Sequence, residues 1–375
     1  MSLRCLPLLL LAALLPVTQP SNATAGGTRS IWSLPTSVTA PSVLPDYHSL
    51  VCPKPVIEPF TGALLVDSKY DQSDPTKSTL GKGQSQESQR IHDSVASYGK
   101  MLSLFADYYA KAQDPPHAAM ALACMDQWLE AWAAAGALEN REANKTGIAV
   151  RNWALAAIAS SVLKLQALSG NQLRLSERQK QWLDRLAGII IEEYDPRLAP
   201  SFGYFNNHDY WAAWSIGSTG MLLGKQSRID WSAKVFRRAM QQITPSVGGD
   251  YAYLPNELAR GTLAANYTHY ALVPLTLVAE TLRLNGASVT AEDSRKLDLL
   301  ANFAARIVLA PNGLPELQGQ KQQKVPPYKM AWLVPFLSHN PQHVLARQLY
   351  GAEHGDVDGY RQIGGHIKPF YPNVE

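Results

Sequence analysis

Two short stretches of the 375-residue chain concentrate side chains able to bind an anion and move a proton. FNNHDYWAAW, residues 205–214, sets two amides, an imidazole and a carboxylate among aromatic rings. DYAYLPNELARGTLAANYTHYAL, residues 250–272, adds the guanidinium of Arg260 and the phenol of Tyr267. Taken singly, each residue has a plain structural role. Asn207 can cap a helix, His208 can be a satisfied core histidine, Arg260 a surface ion pair, and Tyr267 a packed ring with its hydroxyl tied down. Their density argues for a site, because these groups gather beside Tyr204, Tyr210, Trp211, Tyr251 and Tyr253, rings suited to stack on sugars. Other chemistries lack their signatures. The nine histidines are scattered, and no HExxH or paired-cysteine spacing offers a metal site. No Walker-type phosphate loop, GxGxxG or GxSxG occurs. The site is expected to work through its own side chains, with no metal and no cofactor.

The surrounding sequence predicts how such residues are positioned. From His92 onward, segments such as HDSVASYGKMLSLFADYYAKA and TGIAVRNWALAAIASSVLKLQAL carry apolar residues at three- and four-residue spacing, the mark of amphipathic helices. Ser176 and Thr290 read as helix starts and Gly170, Gly224 and Gly286 as stops. Successive helical hairpins with almost no credible strand imply paired helices, as an open solenoid or an α/α toroid. Long, chemically dressed loops around 200–207 and 245–256 favour a closed body with a cleft.

The first 25 residues read differently: Arg4, an apolar run over Leu8–Leu15 and Ala23-Thr24-Ala25 have the form of a cleaved secretory leader. The apolar run is well short of the roughly 20 residues of a membrane span, and no later stretch reads as a span. Residues 26–90, rich in Pro, Ser, Thr and Asp, read as an extended arm, and 91–375 as the helical domain. Of the 34 basic residues, 33 remain beyond the leader against 31 acidic ones, too even a balance for a bulk nucleic-acid binder. Cys5 leaves with the leader, so the even pair Cys52 and Cys124 is expected to form one disulfide in an exported protein.

NNHDYWAAWS, LPNELARGTLAANYTHYAL and the upstream LVDSKYDQSDPTKSTL closely resemble the three signature regions of the mannuronate-specific alginate lyases, polysaccharide lyase family 5. The likeness runs from about Cys52 through PPYKMAW, residues 326–332. It implies an all-α fold, an α/α toroid with a deep cleft, in a periplasmic, metal-free enzyme. The implied reaction is cleavage of poly-β-D-mannuronate by β-elimination, and the expected unit is a monomer. Carried over, the carboxylate-neutralising amide falls on Asn207, the histidine on His208, the arginine on Arg260 and the catalytic tyrosine on Tyr267. The lid over bound polymer falls on 68–80, with Lys69 and Tyr70 as substrate contacts; Tyr204, Trp211 and Tyr251 join them as sugar-binding rings. Two departures bear on subsite preference: Asp209 stands where serine is usual, and Gly261 to Leu263 where further basic residues usually follow the arginine.

Elimination explains why amides, a histidine and an arginine would share a site. The C5 proton of a uronate is weakly acidic, because the adjacent carboxylate resists more negative charge. Asn207, His208 and Arg260 hydrogen-bonded to that carboxylate would offset it. In mannuronate the C5 hydrogen and the C4 oxygen lie on one face of the ring, so one group could serve both, and Arg260 and His208 would favour the Tyr267 phenolate. His208 could instead neutralise, act as base, or accept the tyrosine proton. A non-catalytic uronate-binding or alginate-export accessory protein is the alternative reading. An inverting glycosidase is a third, and would need Asp209 and Glu257 as its carboxylate pair. Asn266-Tyr267-Thr268 also matches a glycosylation acceptor, on which a glycan would obstruct the site.

Overall fold

The computed structural model describes residues 27–34, 45–81 and 83–374, and the leader predicted over 1–25 lies outside the described residues. Eleven α-helices occur among the described residues: α1 Gln86–Lys111, α2 Pro115–Ala135, α3 Lys145–Leu168, α4 Glu177–Tyr194, α5 Asn207–Leu223, α6 Gln226–Gln242, α7 Pro255–Leu258, α8 Ala264–Leu284, α9 Ala291–Leu309, α10 Leu333–His339 and α11 Val344–Ala352. The one sheet described is a two-residue antiparallel pair, β1 Thr244–Pro245 with β2 Ala252–Tyr253.

The packing is that of an α/α toroid. Alternate helices are neighbours, α1 against α3, α3 against α5 and α5 against α8, while α2, α4, α6 and α9 flank them. Sequence explains the two layers. The flanking helices α4 and α6 bury one stripe, exemplified by Trp182, Leu183, Leu186 and Ile190 on α4, and expose the rest. Helices α3, α5 and α8 are buried nearly all round. The most apolar 18-residue window of α3 passes the length and composition test for a membrane span, which corrects the reading that no later stretch does. That window is 89% buried within the protein, so it is a core helix here.

Helix boundaries follow capping chemistry. Ser176 and Thr290 cap α4 and α9 with complete capping boxes, and Gly170, Gly224 and Gly286 take positive φ just past α3, α5 and α8. Helix α1 starts at Gln86, six residues before the periodic pattern. The Ser85 hydroxyl accepts from Ser88 N, and the first turn is mostly solvated, so it shows no apolar stripe.

The arm belongs to the same core: Ile31, Trp32, Leu64 and Val66 are buried with the helices. Leu64 N donates to Glu142 O at 2.8 Å and Asn144 N to Leu64 O at 3.2 Å. The arm backbone passes so close to Gly147 that a Cβ there would lie 1.8 Å from Leu64 O, which only glycine allows. This contact fixes the arm a few residues before the lid. A second tie is the disulfide between Cys52 and Cys124 on α2, with sequence separation 72. On the chain-entropy account, closing such a loop stabilises the fold by about 4 kcal/mol. Thiol titration of the denatured, unreduced protein freed of residues 1–25 is expected to find no free cysteine; two titrating thiols would contradict the pairing.

Candidate active site

The N-terminus of α5 aims the first cluster. Asn206, not Asn207, is the cap: its side chain accepts from His208 N at 3.1 Å, and Asp209 returns the box by accepting from Asn206 N at 2.8 Å. Asp209 is buried and held by Arg197 through bonds of 2.5 and 2.7 Å. Asp209, an acid where the resemblance leads one to expect serine, closes a capping box and an ion pair. Asn207 is fully buried, with its backbone N and its amide Nδ2 both given to Glu257 at 2.6, 2.9 and 3.1 Å. The Asn207 Oδ1 is buried without a partner. The ring of His208 lies 5.4 Å from that of Trp153, and no hydrogen bond ties its nitrogens among the described residues. Burial, and then the positive charges of Arg197, Arg260 and Lys145, push its pKa down to about 3. His208 is therefore neutral at physiological pH and keeps a lone pair.

The second cluster enters from the turn joining α7 to α8. Gly261, with φ of 57°, lets the chain reverse immediately after Arg260. The guanidinium lies over the Tyr267 ring at 3.6 Å and over the Tyr70 ring at 5.2 Å. Its Nη2 donates to Lys77 O at 2.7 Å, and its Nε is buried without a partner. The Tyr267 hydroxyl meets that of Tyr70 at 2.8 Å. Burial pushes the Tyr267 pKa well up, Arg260 pulls it down, and Tyr70 raises it further. With Tyr70 of the lid bonded to Tyr267, the expectation that Arg260 and His208 favour phenolate is corrected: burial outweighs Arg260, and neutral His208 brings no charge. Lys329 completes this wall, with its ammonium 5.8 Å from the Tyr267 ring and donating to Asn266 Oδ1 at 3.1 Å. Burial beside Lys69 and Arg260 lowers its pKa to about 8.

The residues predicted to bind sugar divide. Tyr204 is exposed, with Lys145 over its ring. Lys69 is exposed and Tyr70 half-buried on the lid. Trp211 and Tyr251 are not platforms. Trp211 is fully buried between Tyr270 and Tyr360, and Tyr251 is buried against Phe303 with its hydroxyl on Glu316. Neither has a face free for a sugar. The glycosidase pair fails for the same reason, since Asp209 is spent on Arg197 and Glu257 on Asn207. The Asn266 amide is likewise spent, on Gln323 O and Lys324 O, so a glycan has no access to it.

Polar bonds order the lid, although its sequence has few apolar residues to anchor it. Asp74 accepts from Thr76 N, Ser78 N and Thr79 N at 2.8, 2.9 and 2.8 Å, and Tyr70 and Leu80 form an antiparallel bridge. Its holds on the second cluster are the bonds of Lys77 O to Arg260 and of Tyr70 to Tyr267. If substrate engages both Arg260 and Tyr267, the lid has to lift to admit it and then close. Proteolysis within 68–80 is expected to slow on adding mannuronate oligomers; equal rates with and without them would contradict this.

The Alginate lyase family model matches residues 65–313. The chain belongs to the alginate lyase family. Alginate lyase from Pseudomonas aeruginosa is 31% identical over 293 residues, covering 76% of each chain. That of Pseudomonas syringae pv. tomato is 30% identical over 299 residues, covering 78% of this chain and 75% of its own. Among solved structures, a tyrosine-to-phenylalanine variant of alginate lyase A1-III complexed with tetrasaccharide has a TM-score of 0.67 at 18% identity, covering 88% of each chain. A histidine-to-alanine variant of A1-III, also with tetrasaccharide, matches equally. At that identity the structures speak to the shared toroid fold. The family match spans the lid and both clusters of this alginate lyase family member. Trp153 and Lys329 escaped the sequence reading: Trp153 sits in an apolar helix with nothing to mark it, whereas Lys329 lies in the PPYKMAW stretch that carries the resemblance.

Proposed function

We propose that the protein is an exported, periplasmic lyase that cleaves alginate at mannuronate residues by β-elimination. The observation that carries this reading is the grouping of a guanidinium stacked on a half-buried phenol with a neutral, unengaged imidazole and an amide at the start of α5. Arg260 and Asn207 would neutralise the uronate carboxylate as charge moves into it. Substrate entering under the lid would displace the Tyr70 hydroxyl, one cause of the raised Tyr267 pKa, while Arg260 stays. The uronate carboxylate beside His208 would raise the basicity of the imidazole, which then accepts the phenol proton. The phenolate then takes the C5 proton, the C4–C5 double bond forms as the C4–O bond breaks, and the same proton passes to the leaving oxygen. A single carrier on one face suits mannuronate, whose two reacting bonds share that face. In guluronate they lie on opposite faces, so two groups are required. The leader-like first 25 residues and the disulfide support export. Absorbance of unsaturated uronate is expected to grow with polymannuronate and at least about tenfold more slowly with polyguluronate; equal rates would overturn the mannuronate assignment.

A further inference from the structure

Glu257 is the one fully buried carboxylate beside the candidate site whose described hydrogen bonds all come from another site residue. Its oxygens receive the Asn207 backbone N and amide Nδ2, and no cation hydrogen-bonds to it among the described residues. While Glu257 is ionised it holds the amide N–H2, so the amide atom turned away from it is Oδ1, buried and unpartnered. An acceptor there would repel the substrate carboxylate that Asn207 is meant to bind. Rotating the amide by half a turn presents N–H2 instead, but then Oδ1 faces Glu257 and needs a donor. Only a protonated carboxyl supplies one.

We propose that Glu257 is a positioning residue that works protonated: one oxygen keeps the Asn207 backbone N–H, the O–H donates to Asn207 Oδ1, and the amide N–H2 is thereby turned to the substrate carboxylate. The inference rests on the elimination reading and assigns a proton that reading does not use. The charged and titratable groups around Glu257 are Arg260 on its own segment and Asp209 and Tyr210 on α5, with Arg197 paired to Asp209 and Arg238 beyond Tyr210. Burial raises the Glu257 pKa to about 7, against the hydrogen bonds from Asn207 and the charge of Arg260. Below that pH the acid is neutral and the amide can face substrate; above it the carboxylate retakes the N–H2. A bound substrate carboxylate adds negative charge nearby and strengthens the hold on the proton.

The test compares wild type, Glu257→Gln and Glu257→Ala on polymannuronate from about pH 5 to 9. Glutamine imitates the neutral acid, with one donor and one acceptor. Wild-type kcat/KM is expected to fall above about pH 7, and kcat to fall at higher pH. Glu257→Gln keeps kcat/KM within about threefold of wild type at pH 6 and loses the first alkaline limb. Glu257→Ala, checked for folding by circular dichroism, loses about tenfold or more at every pH. Superimposable wild-type and Glu257→Gln profiles, or a folded Glu257→Gln as impaired as Glu257→Ala, would overturn the proposal. A wild type without lyase activity would instead sink the function assigned above. Infrared difference spectra then decide separately: a protonated-carboxyl C=O band present at pH 6, lost by pH 8 and missing in Glu257→Gln supports the assignment, and its absence refutes it.

Discussion

Tyr267→Phe is expected to remove nearly all turnover while leaving the affinity for oligomannuronate within a few-fold. The hydroxyl has one described hydrogen bond, to Tyr70 at 2.8 Å, and such a bond contributes about 0.5–1.5 kcal/mol net. The ring keeps its edge-to-face contact with Tyr270 at 6.3 Å and the Arg260 guanidinium over its face. Stability and shape should therefore survive. Catalysis should not, because C5 deprotonation and protonation of the leaving oxygen lose one shared carrier, and general acid–base steps are typically worth about 10²–10⁴-fold. Retention of more than about a tenth of wild-type kcat would pass the base role to His208 or another group. Loss of binding together with activity, or an unfolded variant, would make the hydroxyl a structural bond.

Arg260→Ala should differ in kind, lowering kcat and raising KM together. The side chain lowers the phenol pKa against the pull of burial and holds Lys77 O on the lid, and the proposed mechanism adds a third job, neutralising the substrate carboxylate. Losing its effects on the phenol and the carboxylate should reduce kcat/KM by about 10²–10³-fold. Losing the hold on Lys77 O should make the lid more sensitive to protease even without substrate. Arg260→Lys should restore little, because an ammonium cannot reproduce the planar stack on Tyr267 at 3.6 Å. A rise in KM at unchanged kcat would show that Arg260 only binds substrate and does not act on the tyrosine.

These outcomes depend on positions that the sequence displayed unevenly. The four central residues stood out because they sit in two dense motifs at loop-to-helix junctions; a capping box fixes the first turn of α5, whereas α8 begins without a side-chain cap. The role of Asn206 as the cap was hidden by its neighbour Asn207, an equally good capping type. Tyr251, just before β2, was misplaced because its hydroxyl partner Glu316 lies 65 positions away, and Trp211 for a different reason. Helix α5 is buried nearly all round, so it has no polar stripe by which a sequence could tell core rings from cleft rings. The lid looked unanchored because apolar content was the gauge, yet Asp74-Pro75-Thr76 already carried the Asp and Pro of a self-bonded turn. The protonated state of Tyr267 was out of reach, since its sign depends on burial outweighing Arg260. Glu257 was visible only as half of a carboxylate pair; its bond to Asn207 joins residues 50 positions apart.

The most direct test of the whole account counts bonds. Polymannuronate is digested with the protein freed of residues 1–25, and new reducing ends and new C4–C5 double bonds are measured on the same samples. Elimination predicts one double bond for every new reducing end, in wild type and in whatever residual activity the Tyr267 and Arg260 variants keep. Reducing ends without double bonds would mean hydrolysis, and no new ends with intact polymer binding would mean a protein that only holds the polymer; either result would contradict the account.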